Sequence, residues 1–339
     1  MSEPSVVEDR RRPGCLRRGL STLALICALI PFAIWLFMRV PGEDWWLTAG
    51  IVYAPKPQWV AIPGLGVLLA LTAWRGRLVL LTTAATLFAL FAIAGFEWEQ
   101  PIKPPPDRLV IRVATWNVFG WTEQRELVRE RIMSWDCDIV CLQEAARQTF
   151  QKLLPGYQSA MGGDLRIYVR GRITHREAPP DPVTGRRRIL IVDAETDAGP
   201  LRVIGVHVPR ATTHGGTPRE LEPLRRYIEE GVELRERKFA ELVEELPSEG
   251  PFVVAGDMNT PPASRFHAML SASLIDSFEA VGRGFGHTFV WRRHLPMMRI
   301  DYVWAGGGVE PLSHRIEPHR PSDHRPVVVD LALPEQPPG

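Results

Sequence analysis

The feature that most constrains this chain is where its unbroken apolar stretches fall. Residues 20–38 form a charge-free run of 19 residues, and residues 78–96 form a second of the same length. As a helix, each is roughly 28 Å long at about 1.5 Å per residue, close to the thickness of a bilayer's hydrocarbon core. Between them, residues 59–74 are apolar over 16 positions. Trp59 and Trp74 mark the ends of that stretch, where an interfacial aromatic belt would place them. Pro31 sits inside the first run as a kink point. Everything after residue 100 has the mixed polarity of a soluble domain. The expected organisation is a basic N-terminus (1–19), an all-α transmembrane region (20–96, helices at 20–38, 59–74 and 78–96), a Pro-rich linker (97–108), a soluble domain (109–334) and a short tail (335–339). A cleaved secretory signal is the competing reading of the first run. That run is longer than a usual signal core, no clean small-x-small site follows it, and a second long apolar run comes after.

Charge placement gives an orientation. Arg10, Arg11, Arg12, Arg17 and Arg18 precede the first run, and Arg75 and Arg77 lie between the second and third. The intervening loop, residues 39–58, holds Glu43 and Asp44 against only Arg39 and Lys56. Positive residues stay on the cytoplasmic side. Three spans therefore place the soluble domain on the outer, periplasmic face of a bacterial plasma membrane. If the middle run does not span, the domain lies inside.

Residues 101, 104, 105 and 106 are prolines, which make a stiff extended spacer. Beyond it the pattern alternates. Strands are expected at 109–117 (LVIRVATWN), 138–143 (DIVCLQ), 165–169, 189–194, 201–208 (LRVIGVHV), 252–255, 299–304 and 327–333. Helices are expected at 122–135, capped by Thr122, and at 220–230 and 232–246, with Pro223 in a first turn. Strands mixed with helices in this way indicate an α/β domain. The hairpins implied between residues 165 and 208 argue against an all-parallel sheet. Cys15, Cys27, Cys137 and Cys141 have neither zinc-ribbon nor disulfide-framework spacing, and the last two read as small buried residues.

Four patches put acid, amide or imidazole groups at the ends of expected strands: Thr115-Trp116-Asn117-Val118, Cys141-Leu142-Gln143-Glu144, Gly256-Asp257-Met258-Asn259 and Ser322-Asp323-His324-Arg325-Pro326. Strand ends are where loops converge and polar groups can face a ligand. Singly, each patch has an ordinary reading as a turn, a cap or a surface charge. His207, inside a Val/Ile/Gly strand, could be a satisfied core histidine. Their joint occurrence, in order and on strand ends, is much harder to produce by accident.

Taken together, the segments TWNV, DIVCLQE, the His207 strand, GDMN, RIDYVW and SDHRPVVVDL resemble the endonuclease/exonuclease/phosphatase superfamily, the DNase-like fold. The resemblance covers about residues 110–333, and GDMN and SDHRP are its most specific elements. It implies a four-layer α/β sandwich, two packed mixed sheets flanked by helices, with an active site at one rim. It also implies a divalent-metal-dependent phosphoesterase. Repulsion between an anionic phosphate and its nucleophile must be neutralised first, and a hard cation with oxygen ligands does this. Glu144, Asn117 and Asp323 are the expected metal-side residues, with Mg²⁺ or Mn²⁺ as the ion. The absence of a Cys/His cluster disfavours zinc. Asp257 would activate the attacking water or protonate the leaving group, with Asn259 holding it. His324, paired with Asp301, would bind the phosphate or move a proton, and His207 would stabilise charge on the phosphate.

The substrate stays open at this level. Overall charge is +1 and the soluble part is almost neutral, which argues against a tight binder of bare phosphate backbones. A nuclease-like phosphodiesterase is the first reading. A phospholipid or inositol-phosphate phosphoesterase is the second, favoured by the lipid bilayer as partner. A catalytically inactive anchored binding module is the third, disfavoured because every matched position carries the expected residue type. Residues 209–237, the Arg186–Arg188 triplet, and Phe285, His287, Phe289 and Trp291 are candidate substrate-facing features, each also readable as ordinary surface or packing.

Overall fold

The computed structural model describes residues 14–119, 124–145, 150–180, 185–208, 220–292, 294–318 and 321–335. The chain divides into two compact units: Met1–Leu36 with Lys56–Ala94, and Phe37–Pro55 with Gly95–Gly339.

The first unit is helical. Its elements are Cys15–Arg39, Pro57–Thr72 and Gly76–Phe88, the last continuing as a π-turn at Ala89–Ile93. Cys15–Arg39 and Gly76–Ile93 are long and apolar enough to cross a membrane, while Pro57–Thr72 is apolar but shorter. The helices approach closely at Gly66, where a Cβ would lie 2.9 Å from the Cys27 Cβ and 3.0 Å from the Thr82 Cγ2. Small residues permit such contact where apolar burial between helices supplies little driving force. The first helix begins earlier than the apolar run suggests. Arg17 lies inside it and donates from Nε to the Ala73 carbonyl (2.6 Å) and from Nη2 to that of Trp74 (3.1 Å). These are carbonyls at a helix end with no partner of their own.

The second unit holds two six-stranded mixed sheets packed face to face. One runs Ile275–Asp276, Asp301–Gly306, Phe252–Asp257, Gly199–His207, Ile189–Thr196, Arg172–Glu177. The other runs Glu310–Ile316, Val327–Ala332, Val110–Asn117, Ile139–Gln143, Leu165–Val169, Gln158–Gly162. Period-two alternation sends Val113, Ile139, Ile167, Val203, Val253 and Val329 into the layer between the sheets. Trp116, Leu142 and Tyr168 face the helix Arg125–Trp135 through Val128, Ile132 and Trp135. Ile204, Val254 and Trp304 face Leu221–Glu244 and Arg265–Ser271 through Phe239, Leu242 and Phe266. The result is the expected four-layer sandwich.

Several details depart from expectation. The two helices expected at 220–230 and 232–246 are one, Leu221–Glu244. Gly231 costs a helix only about 1 kcal/mol, less than burying Phe239 and Leu242 along one face returns. Thr122, expected as a cap, lies outside the described residues, as do residues 209–219. The Pro-rich spacer is fastened: Glu97–Trp98 pairs with Arg283–Gly284, and the Ile102 amide donates to the Leu312 carbonyl at 2.7 Å. Residues 37–55, which cover the end of the first expected helix and most of the loop expected at 39–58, instead belong to the sandwich unit. They fold there as a short helix, Trp46–Val52, with Ala49 inside the hydrophobic layer of Phe239 and Phe266. Glu43 holds the segment in place. Its carboxylate accepts from Ser264 Oγ (2.7 Å) and from the Arg265 amide (2.8 Å), and also from the Tyr53 hydroxyl.

Candidate active site

Each sheet contains one parallel pair of neighbours, and parallel strands end at the same rim. In one sheet Asn117 pairs in register with Gln143, which puts Glu144 just beyond the edge. In the other His207 pairs with Asp257, and Asp301 opposes Asp257 on its other side. The chain turns sharply at this rim. Glu144 and Asn259 both take left-handed backbone conformations (φ 58° and 46°). Such conformations cost a non-glycine residue of order 1–3 kcal/mol and cluster at functional sites. Gly256 permits the tight approach before Asp257, since a Cβ there would lie 1.9 Å from the Val206 carbonyl oxygen. The loop carrying His324 is stitched onto the same rim. Ser322 Oγ donates to the Asn117 carbonyl (2.6 Å) and accepts from the His324 amide (3.0 Å), and Trp116 Nε1 donates to the His324 carbonyl (3.0 Å).

Asp257 is the centre. It is fully buried, and its Oδ2 accepts from Asn117 Nδ2 (3.0 Å) and Asn259 Nδ2 (3.1 Å) while Oδ1 accepts from the Asn259 amide (2.9 Å). Two imidazoles face it: His207 Nε2 lies 3.7 Å and His324 Nε2 3.8 Å from Oδ2. Each ring is backed by a carboxylate on its other nitrogen. Asp301 Oδ2 is 2.9 Å from His324 Nδ1, and Asp164 Oδ2 is 2.7 Å from His207 Nδ1. Phe289 packs edge-on against the His324 ring at 5.5 Å.

Burial and charge oppose each other here. Burial pushes the Asp257 carboxyl up, and the two histidines only partly offset it. Burial alone would lower His324, but Asp301 and then Asp257 outweigh it and raise the ring to about 9. His207 is raised for the same reason, by Asp164 and Asp257 against burial. Both rings therefore favour the protonated form, with Nε2–H groups directed at the space over Asp257.

All eight residues singled out in the sequence lie at this rim. Asn117 is oriented as a donor. Its Oδ1 accepts from the Phe119 amide (2.9 Å), and Nδ2 bridges Glu144 Oε1 (3.2 Å) and Asp257. Asp323 sits beside His324 with Oδ1 buried and unpartnered among the described residues, as is His324 Nε2. Sequence reasoning missed Asp164, which lies in a hairpin turn and carries no motif. It read Arg188 only as part of a basic triplet, whereas Arg188 Nη1 donates to Asp164 at 2.8 Å. Neither residue has a local signal, because the contact joins a turn of one sheet to the residue that precedes a strand of the other.

The donor set fits a hard divalent cation. Glu144, Asp257, Asp301, Asp323 and Asp164 outnumber the cationic groups around them, and all offer oxygen. The thiols of Cys137 and Cys141 are buried in the core, where burial pushes both up to about 12, so they offer no soft ligand. A second acidic cluster, His267, Asp276 and Glu279, is already neutralised. Arg299 bonds to both carboxylates, and His267 Nε2 lies 2.9 Å from Asp276. That cluster is an ion-pair network of the fold, buried at His267 and Asp276 and exposed at Glu279.

Fold and site together define a metal-dependent hydrolase with the layers and rim chemistry of the phosphoesterases. The sequence profile of the Endonuclease/Exonuclease/phosphatase family matches residues 114–324, and the chain belongs to that family. Among solved structures it is similar to an endonuclease/exonuclease/phosphatase from Beutenbergia cavernae (19% identity, TM-score 0.52, 67% of this chain and 72% of that one). It is also similar to an AP endonuclease from Archaeoglobus fulgidus (19%, 0.51, 65% and 98%) and to truncated TDP2 from Caenorhabditis elegans (17%, 0.51, 66% and 98%). At these identities the likeness is one of fold. No curated protein matches the chain.

Proposed function

We propose that this protein is a membrane-anchored phosphodiesterase that works with Mg²⁺ or Mn²⁺ at the rim built around Asp257. The observation that carries the reading is the pair of carboxylate-backed imidazoles facing one buried carboxylate. Glu144 and Asp323 are the residues that would hold the cation, with Asn117 fixing Glu144. A bound cation there supplies positive charge against the phosphoryl oxygens. His324, held protonated, and His207, its proton affinity raised, donate from Nε2 to phosphate oxygens and so favour the more highly charged transition state. Asp257, its proton affinity raised by burial, takes a proton from water, and Asn259 fixes its orientation through two hydrogen bonds. The filled positions argue against an inactive binding module.

Anchoring rests on the two long apolar helices and on a parity argument. Residues 37–55 pack on the catalytic domain through Glu43, Ala49 and Tyr53, so both lie on the same side of any membrane. Two helices, Pro57–Thr72 and Gly76–Ile93, separate them in the chain. Either both cross or neither does. If Gly76–Ile93 crosses, the shorter middle helix crosses too, and the arginine pattern then puts the catalytic domain outside.

The test is hydrolysis of bis(p-nitrophenyl) phosphate by the full chain in detergent micelles. Activity should vanish with EDTA and return with Mg²⁺ or Mn²⁺. Turnover indifferent to chelator would remove the metal from this reading.

A further inference from the structure

The connector between the first two apolar helices does more than dock. Its helix, Trp46–Val52, forms one wall of a cavity of about 330 Å³ that reaches Asn259 of the active site. That volume is within the range of small-molecule sites. The lining is mostly apolar and mixes aliphatic side chains (Ala49, Ile228, Met298 and Ile300) with the rings of Tyr53, Tyr227 and Phe289. One charged group interrupts it. Arg235 is only 5% exposed, and its guanidinium stacks over the connector's Tyr53 ring at 4.2 Å. Nη1 donates to the Gly231 carbonyl of its own helix (3.1 Å), while Nε is buried without an acceptor among the described residues. No described carboxylate pairs with this guanidinium. A buried cation without a counter-ion is costly, and a ligand anion would relieve that cost.

We infer that residues 37–55 complete the substrate cavity of this active site, and that the cavity receives an amphiphilic phosphoester, its aliphatic part against Ala49, Gly50 and Ile228 and its phosphoryl group at the Asn259 end that meets the rim, within the field of Arg235. The inference rests on the phosphodiesterase reading and names its substrate class. A nucleic-acid backbone is recognised by tracks of cations, and the almost neutral domain offers one buried arginine among apolar walls.

The experiment uses the full chain in nanodiscs with Mg²⁺ and follows inhibition of bis(p-nitrophenyl) phosphate hydrolysis. Octyl phosphate, octanol and inorganic phosphate are compared as inhibitors. Octyl phosphate should bind at least about tenfold more tightly than either of the others, since it alone combines chain and charge. Gly50→Leu projects a side chain into the cavity at a helical position whose nearest foreign atom, the Ile228 Cδ1, is 3.7 Å from an added Cβ. It improves helix propensity, so folding is not at risk. Both Gly50→Leu and Arg235→Met should reduce the octyl phosphate advantage about tenfold. Leu47→Ala, on the exposed side of the same helix, should keep it. Nanodiscs with and without phosphatidic acid distinguish a bilayer lipid from a free amphiphile. Inhibition by phosphatidic acid points to the lipid, and inhibition by octyl phosphate alone points to the free molecule. If the wild type does not hydrolyse bis(p-nitrophenyl) phosphate, the phosphodiesterase reading fails. If it does, but octyl phosphate is no better than inorganic phosphate or Gly50→Leu leaves its advantage intact, this inference alone fails. An oligonucleotide that outcompetes octyl phosphate, and is itself weakened by Gly50→Leu, would also overturn it.

Discussion

Replacing Asp301 by asparagine removes a charge from the site while keeping its shape. The side chain is buried, and both carboxylate oxygens lie within 3.1 Å of His324 Nδ1, so an amide oxygen can still accept that hydrogen bond. Raising the ring from 6.5 to about 9 corresponds to about 3 kcal/mol in favour of imidazolium, and Asp301 is the largest of the groups that raise it. The sign follows directly. His324 is protonated below about 9 and loses its proton as pH rises through that value, so a rate that needs imidazolium falls there. Losing an opposite charge at this range is worth about 1–3 pH units, which brings the basic limb of kcat/KM down to between about 6 and 8. At pH 8 the protonated fraction would drop from about nine-tenths to between about a half and one-hundredth. The assay is the pH profile of bis(p-nitrophenyl) phosphate hydrolysis at saturating Mg²⁺, with a Mg²⁺ titration at each end. A basic limb that stays near 9, or a loss of Mg²⁺ affinity with turnover unchanged, would refute the pairing as the source of the charge.

Asp257→Ala and His324→Ala should each cut turnover by about 10²–10⁴-fold with the thermal transition retained. Either variant keeping near-wild-type turnover would remove its assigned role. Glu144→Gln should weaken Mg²⁺ binding about tenfold or more, read by calorimetry without substrate. Unchanged affinity would move the cation elsewhere. Asp276→Asn tests the buried network with Arg299. Breaking such a pair costs about 3–5 kcal/mol. Because Arg299 and His267 hold the Asp276 carboxyl well below its ordinary range despite burial, its stabilisation is present above about pH 4 and fades as pH falls. Wild type and variant melting temperatures should therefore converge in acid; a constant gap would contradict this. Glu43→Ala strips the acceptor from Ser264 and the Arg265 amide, so limited proteolysis should find residues 37–55 more open, at a cost of about 1–3 kcal/mol. Unaltered cleavage there would mean that the apolar contacts of Ala49 alone hold the segment.

Much of this was legible one strand at a time. GDMN and SDHRP carry chemistry and turn geometry in four or five consecutive residues, so local reading reached Asp257, Asn259, Asp323 and His324. The sandwich class was legible because alternation in VIRVATWN and LRVIGVH reports which side chains face a core. The split helix at Gly231 was misread because propensity is a weak prior that tertiary burial overrides.

The apolar runs of the first hundred residues were determined by sequence alone, since the length and composition needed to cross a bilayer are properties of a continuous segment. So were Asp257, Asn259, Asp323 and His324, because each belongs to a short motif beside a strand, whereas His207 and Asp301 were reached through resemblance. What only the tertiary structure decided is how distant segments meet. Arg188 comes to His207 through strand pairing and Asp164 through the packing of one sheet on the other, and Asn117 turns its amide hydrogens, not its oxygen, toward the carboxylates. Residues 37–55 leave the apolar helices to pack on the catalytic domain. Each is a contact between residues far apart in the chain, and its free energy exists only when both partners are already in place.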